Sequence, residues 1–443
     1  MSGFVRTLAR IAVPVTLQSM LQASFSIIDQ VMIGQLGEES ISAVGLCGNF
    51  TLIFSVVMNA VGAVAGILIA QFLGAGDRRE AWCSFFVSTL TGTILASLFT
   101  LTAALFPAPI LSLYTNDAEI LRAGCLYFPL IALAYIPMAL SNVFSAYLRC
   151  KEHAGIPFLA SLISVFVNTG LNYVLIFGAL GAPTLGIQGA GIATLVSQLV
   201  NLLLIVPGLV RCVQKDGDRP VFTLSFTRIR PRDYLIMILP ILVSEFLWSL
   251  GQNVESAVYG HLGTDSLAAY TLTSPVQSLV VGALSGLSAA SGVIVGKRLG
   301  SRETDAAYQD SKKIMIAGLF GSVLVSVLLI FLTGTYVSFY NVSDAVRATG
   351  RTLLMVFALY APVKVENMIL GGGILKSGGD TKTVLVIDTL GTWCVGIPLC
   401  LLAVRVLHFD IVGVYSLLTT EEIFRLVLSL VVFRKKKWMI SLS

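Results

Sequence analysis

The chain is poor in charge. Lys, Arg, Asp and Glu together supply 12% of its 443 residues, about half of the roughly 25% usual in soluble domains. Hydrophobic residues make up 56% and the mean hydropathy is +0.87, so the scarcity of charge excludes a water-soluble globular fold. Histidine is rarer still. His153, His261 and His408 stand apart near the ends of apolar runs, and a histidine metal cage is not expected. Seven cysteines lie in or beside apolar runs without paired spacing, which excludes a disulfide framework and a CxxC metal motif. No HExxH, GxSxG or histidine cluster is present, so an enzyme, membrane-embedded or otherwise, lacks its nucleophile, base or metal. No Walker A motif occurs either. The nearest approach, LGAGD at 73–77, lacks the GK[ST] ending and follows no strand; it reads as a loop turn, and ATP-driven chemistry is not expected. The net charge of +5 is spread among loops and gives no nucleic-acid signal.

What is present is a series of twelve apolar segments, near 10–33, 43–72, 83–106, 121–147, 158–178, 186–210, 233–259, 267–296, 312–336, 347–375, 383–404 and 411–433. Each is long enough to span a bilayer as a helix. The first follows Arg6 and Arg10 as a signal peptide would, but it is long, carries Asp29 and has no small-residue cleavage site, so a retained helix is expected. Connections rich in Lys and Arg alternate with connections that lack them. The basic set comprises the N-terminus, 73–82, 149–156, 211–232, 297–313, 376–382 and the run Arg434 to Lys437 before Trp438. That alternation places both termini in the cytoplasm, with the basic run as a topology and headgroup anchor. The longest connection divides the chain into a first lobe at 1–210, a linker at 211–232 and a second lobe at 233–443.

The lobes repeat. An offset of 226 residues aligns them without a gap for about sixty positions: Pro14 meets Pro240, Asp29 meets Glu255, Leu36-Gly37 meets Leu262-Gly263, and Leu73-Gly74 meets Leu299-Gly300. Helical periodicity alone would not produce that string. Each lobe has an even number of spans, so the repeat is parallel, about an axis along the membrane normal. The expected fold is an all-α membrane protein of twelve transmembrane helices in two pseudo-symmetric six-helix lobes around a central cavity. That architecture suits alternating access better than a channel.

Within the first span, Gln18, Gln22, Ser26 and Asp29 share one helical face. Lipid cannot satisfy such a stripe, and an Asp near the bilayer centre costs roughly 2.5–3.5 kcal/mol. A carboxylate held there points to ion or substrate traffic, against the plainer alternative of a structural hydrogen bond. The seventh span repeats the pattern with Glu245, Trp248, Gln252, Glu255 and Tyr259. Tyr259, near the span end, reads as an interfacial anchor or core residue; Trp248, mid-span and one turn from Glu245, reads as a cavity residue. In the fifth and sixth spans, Asn168 and Asn172, then Ala190 and Thr194, form pairs spaced by four. Their oxygens, with Asp29 and a freed backbone carbonyl, are hard ligands that suit Na⁺. Taken out of water, the same carboxylate suits a proton. Helix–helix hydrogen bonding is the competing role for these amides and hydroxyls. Further intramembrane charges are Lys364, Glu366 and Asp388, with Glu245 or Glu255 as candidate partners for Lys364. Glu421, Glu422 and Arg425 have the spacing of a structural ion-pair set.

Over nearly its whole length the chain resembles the multidrug and toxic compound extrusion (MATE) transporters. The resemblance is carried by P-x14-D-x4-G-x-LG from Pro14, LGAGDRREA at 73–81, LGSRETDAA at 299–307, NTGLNYVLIFG at 168–178, PTLGIQGAGIAT at 183–194 and LKSGGDTK at 375–382. It implies a cation site of Asp29, Asn168, Asn172, Ala190 and Thr194, and export of organic, often cationic, compounds by Na⁺ or H⁺ antiport, with no other cofactor. Asn172 departs from branches that carry a second Asp there, which leaves Asp29 as the only titrating group of the first lobe. Gln22, Ser26, Glu245, Trp248, Gln252, Glu255, Lys364, Glu366 and Asp388 are the expected substrate-cavity residues, and Pro14 the expected hinge. Expected partners are small organic molecules and membrane lipids, with the monomer as the working unit in the plasma membrane. The alternative within the same superfamily is a lipid-linked oligosaccharide flippase, which the mostly acidic intramembrane charge disfavours.

Overall fold

The computed structural model describes residues 2–216, 231–338, 340 and 342–442. The centre of the 211–232 linker therefore lies outside the described residues. Helices account for nearly all of the rest: α1 (Ser2–Gly34), α2 (Glu38–Gly74), α3 (Arg78–Leu105), α4 (Ala118–Cys150), α5 (Gly155–Phe177), α6 (Ile187–Asp216), α7 (Pro231–His261), α8 (Thr264–Gly300), α9 (Thr304–Ser338), α10 (Asp344–Leu375) and α11 (Thr381–Arg405). All eleven are long and apolar enough to cross a membrane. The twelfth, α12, consists of Ile411–Leu418 and Thr420–Lys435, interrupted at Thr419. The chain is a multi-pass, all-α membrane protein. Eleven of the twelve expected spans are matched by such helices and the last by the broken α12, and the helices run several residues past the apolar cores.

Polar residues at the connections explain where helices begin. Asp77 accepts from the Glu80 amide at 3.1 Å and starts α3, so the LGAGD loop is a capping turn. Asp380 accepts from the Thr383 amide at 3.2 Å and starts α11 within the LKSGGDTK loop. Asp410 does the same for α12, at 2.9 Å from the Gly413 amide. Outward faces stay apolar: on α9, Phe320, Leu324 and Phe331 are more than two-thirds exposed, as lipid contact requires.

The helices form two compact units. One comprises Met20–Ile69 and Asp77–Arg230, and the other Met1–Ser19, Ala70–Gly76 and Pro231–Ser443. The start of α1 and the last turn of α2 thus pack with the second half of the sequence. In the first-half unit an aromatic cluster of Phe50, Phe54, Phe99, Phe128 and Tyr135 fills the space between α2, α3 and α4, and Tyr135 shares a 2.8 Å hydrogen bond with Thr51. In the second-half unit Tyr259 is fully buried against Tyr270, which makes it a core residue. The Pro14 segment of α1 packs there too: Thr16 donates to the Ala283 carbonyl at 3.2 Å, and Ser285 donates to Ser19 at 2.9 Å. Pro14 itself sits inside a continuous helix.

The repeat is visible in the backbone. Gly37 and Gly263, 226 residues apart, both take the left-handed conformation, with φ of 104° and 112°. The second repeated pair, Gly74 and Gly300, closes a helix crossing: a Cβ on Gly74 would overlap the Lys297 carbonyl, and one on Gly300 would overlap the Gln71 carbonyl. Gln71 and Lys297 are themselves 226 residues apart, so the contact is reciprocal. Small residues let membrane helices approach this closely.

Candidate cation and substrate sites

In the first-half unit, α1, α5 and α6 converge on a cavity of about 250 Å³ lined by Gln22, Phe25, Ser26, Asp29, Asn168, Thr194 and neighbouring serines and amides. The Asn172 Nδ2 lies against Asp29 Oδ1 and also donates to Asn168 Oδ1 at 3.3 Å. Asn172 is fully buried, and its Oδ1 has no hydrogen-bond partner. A buried acceptor without a donor costs free energy comparable to a lost hydrogen bond, which makes that oxygen a candidate cation ligand just behind the cavity lining. Thr194 donates to the Ala190 carbonyl at 3.0 Å. The bond lies within α6, and the hydroxyl oxygen keeps its capacity to accept or to ligate. The expected ligands Asp29, Asn168, Asn172 and Thr194 therefore come together, with Gln22 and Ser26 beside them.

On two helices the polar face extends further than the residues named from the sequence. Ser161 and Ser164 continue the Asn168–Asn172 face of α5, and Ser197 and Asn201 continue the Ala190–Thr194 face of α6; all four line the cavity. Ser164 donates to the Ser197 carbonyl at 2.6 Å, fixing α5 against α6, and Ser197 donates to the Thr194 carbonyl within α6 at 2.8 Å. The steps of three and four that identified the asparagines would have found these residues too.

The second-half unit holds two adjoining cavities. The larger, about 390 Å³, is lined by Glu245, Trp248, Lys364, Lys376, Asp388, Glu422 and Arg425 among others; the smaller, about 60 Å³, by Gln252, Glu255, Tyr270, Glu421 and residues shared with the first. Arg425 is the hub. It contacts Asp388 closely and reaches Glu421 at 3.7 Å and Glu422 at 3.8 Å. Ser244 donates to Asp388 at 2.6 Å, Thr392 to Glu421 at 3.1 Å, and Asn367 to Glu422 at 2.8 Å. The backbone is shaped to admit this cluster. Residues Leu390–Gly396 of α11 form a π-helical stretch, where a Cβ on Gly391 would overlap the Arg425 side chain and one on Gly396 would overlap Glu421.

Two expectations need correction here. Lys364 lies 3.9 Å from Glu422, while Glu245 pairs with Lys376 at 3.5 Å. Glu245 is therefore not the partner of Lys364, which tertiary packing turns toward α12; Glu255 shares the smaller cavity with Lys364 and lies within its electrostatic reach. Glu366, two residues on, points the other way: it is buried toward Gly318 of α9 and lines neither cavity. By contrast Trp248, 45% exposed, lines both cavities, and Gln252 donates to Glu255 at 3.2 Å.

A membrane helix bundle whose sequence halves repeat, with buried carboxylates opening onto polar cavities, has the build of a solute transporter. The chain belongs to the MatE family, whose profile matches residues 14–174 and 240–402, two blocks that begin at the repeated prolines. The family consists of membrane transporters. The chain is 23% identical to a probable multidrug resistance protein NorM of Thermotoga maritima, over 98% of this chain and 93% of that protein. It is 29% identical to a probable multidrug resistance protein NorM of Bradyrhizobium diazoefficiens, over 89% and 85%. Its fold is similar to the crystal structure of the Vibrio cholerae MATE transporter VcmN in the bent form, with a TM-score of 0.87, 18% identity and coverage of 98% and 97%. A MOP superfamily transporter from Pyrococcus furiosus, described by the reverse polarity of its binding pocket, matches with a TM-score of 0.86 at 18% identity, over 97% and 95%.

Proposed function

We propose that the protein is a secondary active exporter of small organic compounds, driven by inward flow of Na⁺ or H⁺. The observation that carries this reading is the Asp29 site. A single carboxylate faces a polar cavity, its contacts are neutral amides, and a buried Asn172 oxygen lacks a donor. Such a group needs a cation from outside the protein. Na⁺ would take Asp29, Asn168, Asn172 and Thr194 as oxygen ligands; a proton would take Asp29 alone. Neutralising Asp29 removes the charge that Asn172 solvates, and helix packing around α1 changes with it. The names of the NorM relatives support drug-like substrates. Trp248 and the surplus of acids over bases in the second-half cavities favour an aromatic compound carrying positive charge. We place the protein in the plasma membrane as a monomer, with both termini cytoplasmic.

The deciding experiment is efflux from proteoliposomes under an imposed Na⁺ gradient compared with an imposed pH gradient. Efflux driven by neither would overturn the reading. A lipid-linked, anionic substrate is a second reading, favoured by Lys364, Lys376 and Arg425 in the larger cavity. Glu245, Asp388 and Glu422 balance those charges in the same cavity, which weakens it. Inhibition of efflux by a polyprenyl pyrophosphate, but by no organic cation, would reverse the order.

A further inference from the structure

The segment after α12 does something its sequence conceals. Lys436, in the left-handed conformation, turns the chain back at the end of the helix. Trp438 then inserts completely, stacks on Phe433 at 5.7 Å and donates to the Phe433 carbonyl at 3.1 Å. Its own carbonyl lies where a Cβ on Gly378 would stand, so the 375–380 loop is covered by the returning chain. The Trp of the basic run is thus a buried plug, which corrects the interfacial anchor expected for the run as a whole; Arg434, Lys435, Lys436 and Lys437 remain exposed.

The other end of the segment is held by one side chain. The Gln71 amide donates to the Ser377 carbonyl at 2.7 Å and to the Ile440 carbonyl at 3.2 Å, and its oxygen accepts from the Leu442 amide at 2.8 Å. Gln71 is fully buried and uses both ends of its amide. It sits in the last turn of α2, on the reciprocal glycine crossing with α8, and α2 changes compact unit between Ile69 and Ala70. The repeat partner of Gln71 is Lys297, an amine where the clamp has an amide able both to donate and to accept.

We propose that Trp438–Leu442 is a conformational strap: through Gln71 it fastens the last turn of α2 to the 375–380 loop, and its release frees that turn to follow the rest of its helix. The strap is a regulatory device of the transport cycle, and in that role it rests on the exporter reading. Its physical basis does not. A polar clamp of three hydrogen bonds and one aromatic plug can open locally without unfolding the bundle.

The test is thiol labelling of Ser377→Cys, which lies beneath the strap, in purified full-length protein with the native cysteines replaced. Gln71→Glu keeps size and helix position but removes both donor bonds to carbonyls; Trp438→Ala removes the plug. Each is expected to raise the maleimide labelling rate at least tenfold, roughly the effect of losing one or two buried hydrogen bonds, while the melting temperature stays within a few degrees. Gradient-driven efflux should change in the same variants. Unchanged labelling overturns the proposal, as does labelling that rises only in step with melting, or efflux unaffected by an opened strap. Labelling is independent of any transported compound, so failure of the exporter reading appears as absent efflux with the labelling result intact.

Discussion

The two units line their cavities with charge in opposite ways. The first sets one carboxylate among neutral partners there: Asp29 lies against Asn172, and among the described residues no Lys or Arg pairs with it. The second holds Glu245, Glu255, Asp388, Glu421 and Glu422 with Lys364, Lys376 and Arg425 around its cavities, so most of its negative charge is neutralised from within. An unpaired carboxylate away from water is unstable and must find a cation; a paired one already has it. The contrast fits a division of labour in which the first unit takes the coupling ion and the second offers shape and balanced polarity to a larger molecule.

The comparison breaks most sharply at Arg425. Replacing it with Met strands Asp388, Glu421 and Glu422, and a loss of about 3–5 kcal/mol is expected for a buried cation removed from its partners; thermal unfolding in detergent measures it. If the loss is small, the second unit is not internally neutralised. Asp29→Asn comes next. It removes the charge but keeps the shape and a partner for Asn172, so stability should hold within about 1 kcal/mol while gradient-driven efflux in proteoliposomes falls at least tenfold. Full resistance retained in cells expressing this variant would sink the coupling role. Asn172→Asp sharpens the contrast in a milder way. A second carboxylate beside Asp29 adds charge and an oxygen ligand to the site, so the concentration of coupling cation that gives half-maximal efflux should fall relative to the parent. No change would mean that Asn172 is not part of the cation site. The smallest effect is expected at Lys364→Met, whose 3.9 Å contact with Glu422 is partly exposed. A pair of that kind contributes on the order of 0.5 kcal/mol, and a much larger loss of stability would show that Lys364 belongs to the Arg425 network.

How far such contrasts could be read from the sequence depended on their range. Spans, repeat and loop turns are local or periodic properties, and they were legible: the apolar runs fix α1 to α12, and LGAGD forms the turn expected of it. The Asp29, Asn168, Asn172 and Thr194 constellation was legible because each member stands on a helical face with a regular step. Partners of charged residues were not. Lys364 shares its two cavities with Glu245, Glu255, Asp388, Glu421 and Glu422, and only the packing of α10 against α12 selects Glu422. The π-helical stretches at Met368–Leu375 and Leu390–Gly396 left no composition signal beyond their glycines. Trp438 misled for a related reason, since a tryptophan after four basic residues has the composition of a membrane-surface anchor whether it faces lipid or folds back.

At the crossing of α2 and α8, Gly74 and Gly300 bring main chain against main chain, with no side chain of either glycine between. Interdigitated side chains resist sliding because each must change rotamer to pass its neighbour. A backbone bearing has no such teeth. It permits small rotations of one helix on the other at low friction, and any methyl group added to either glycine would jam it.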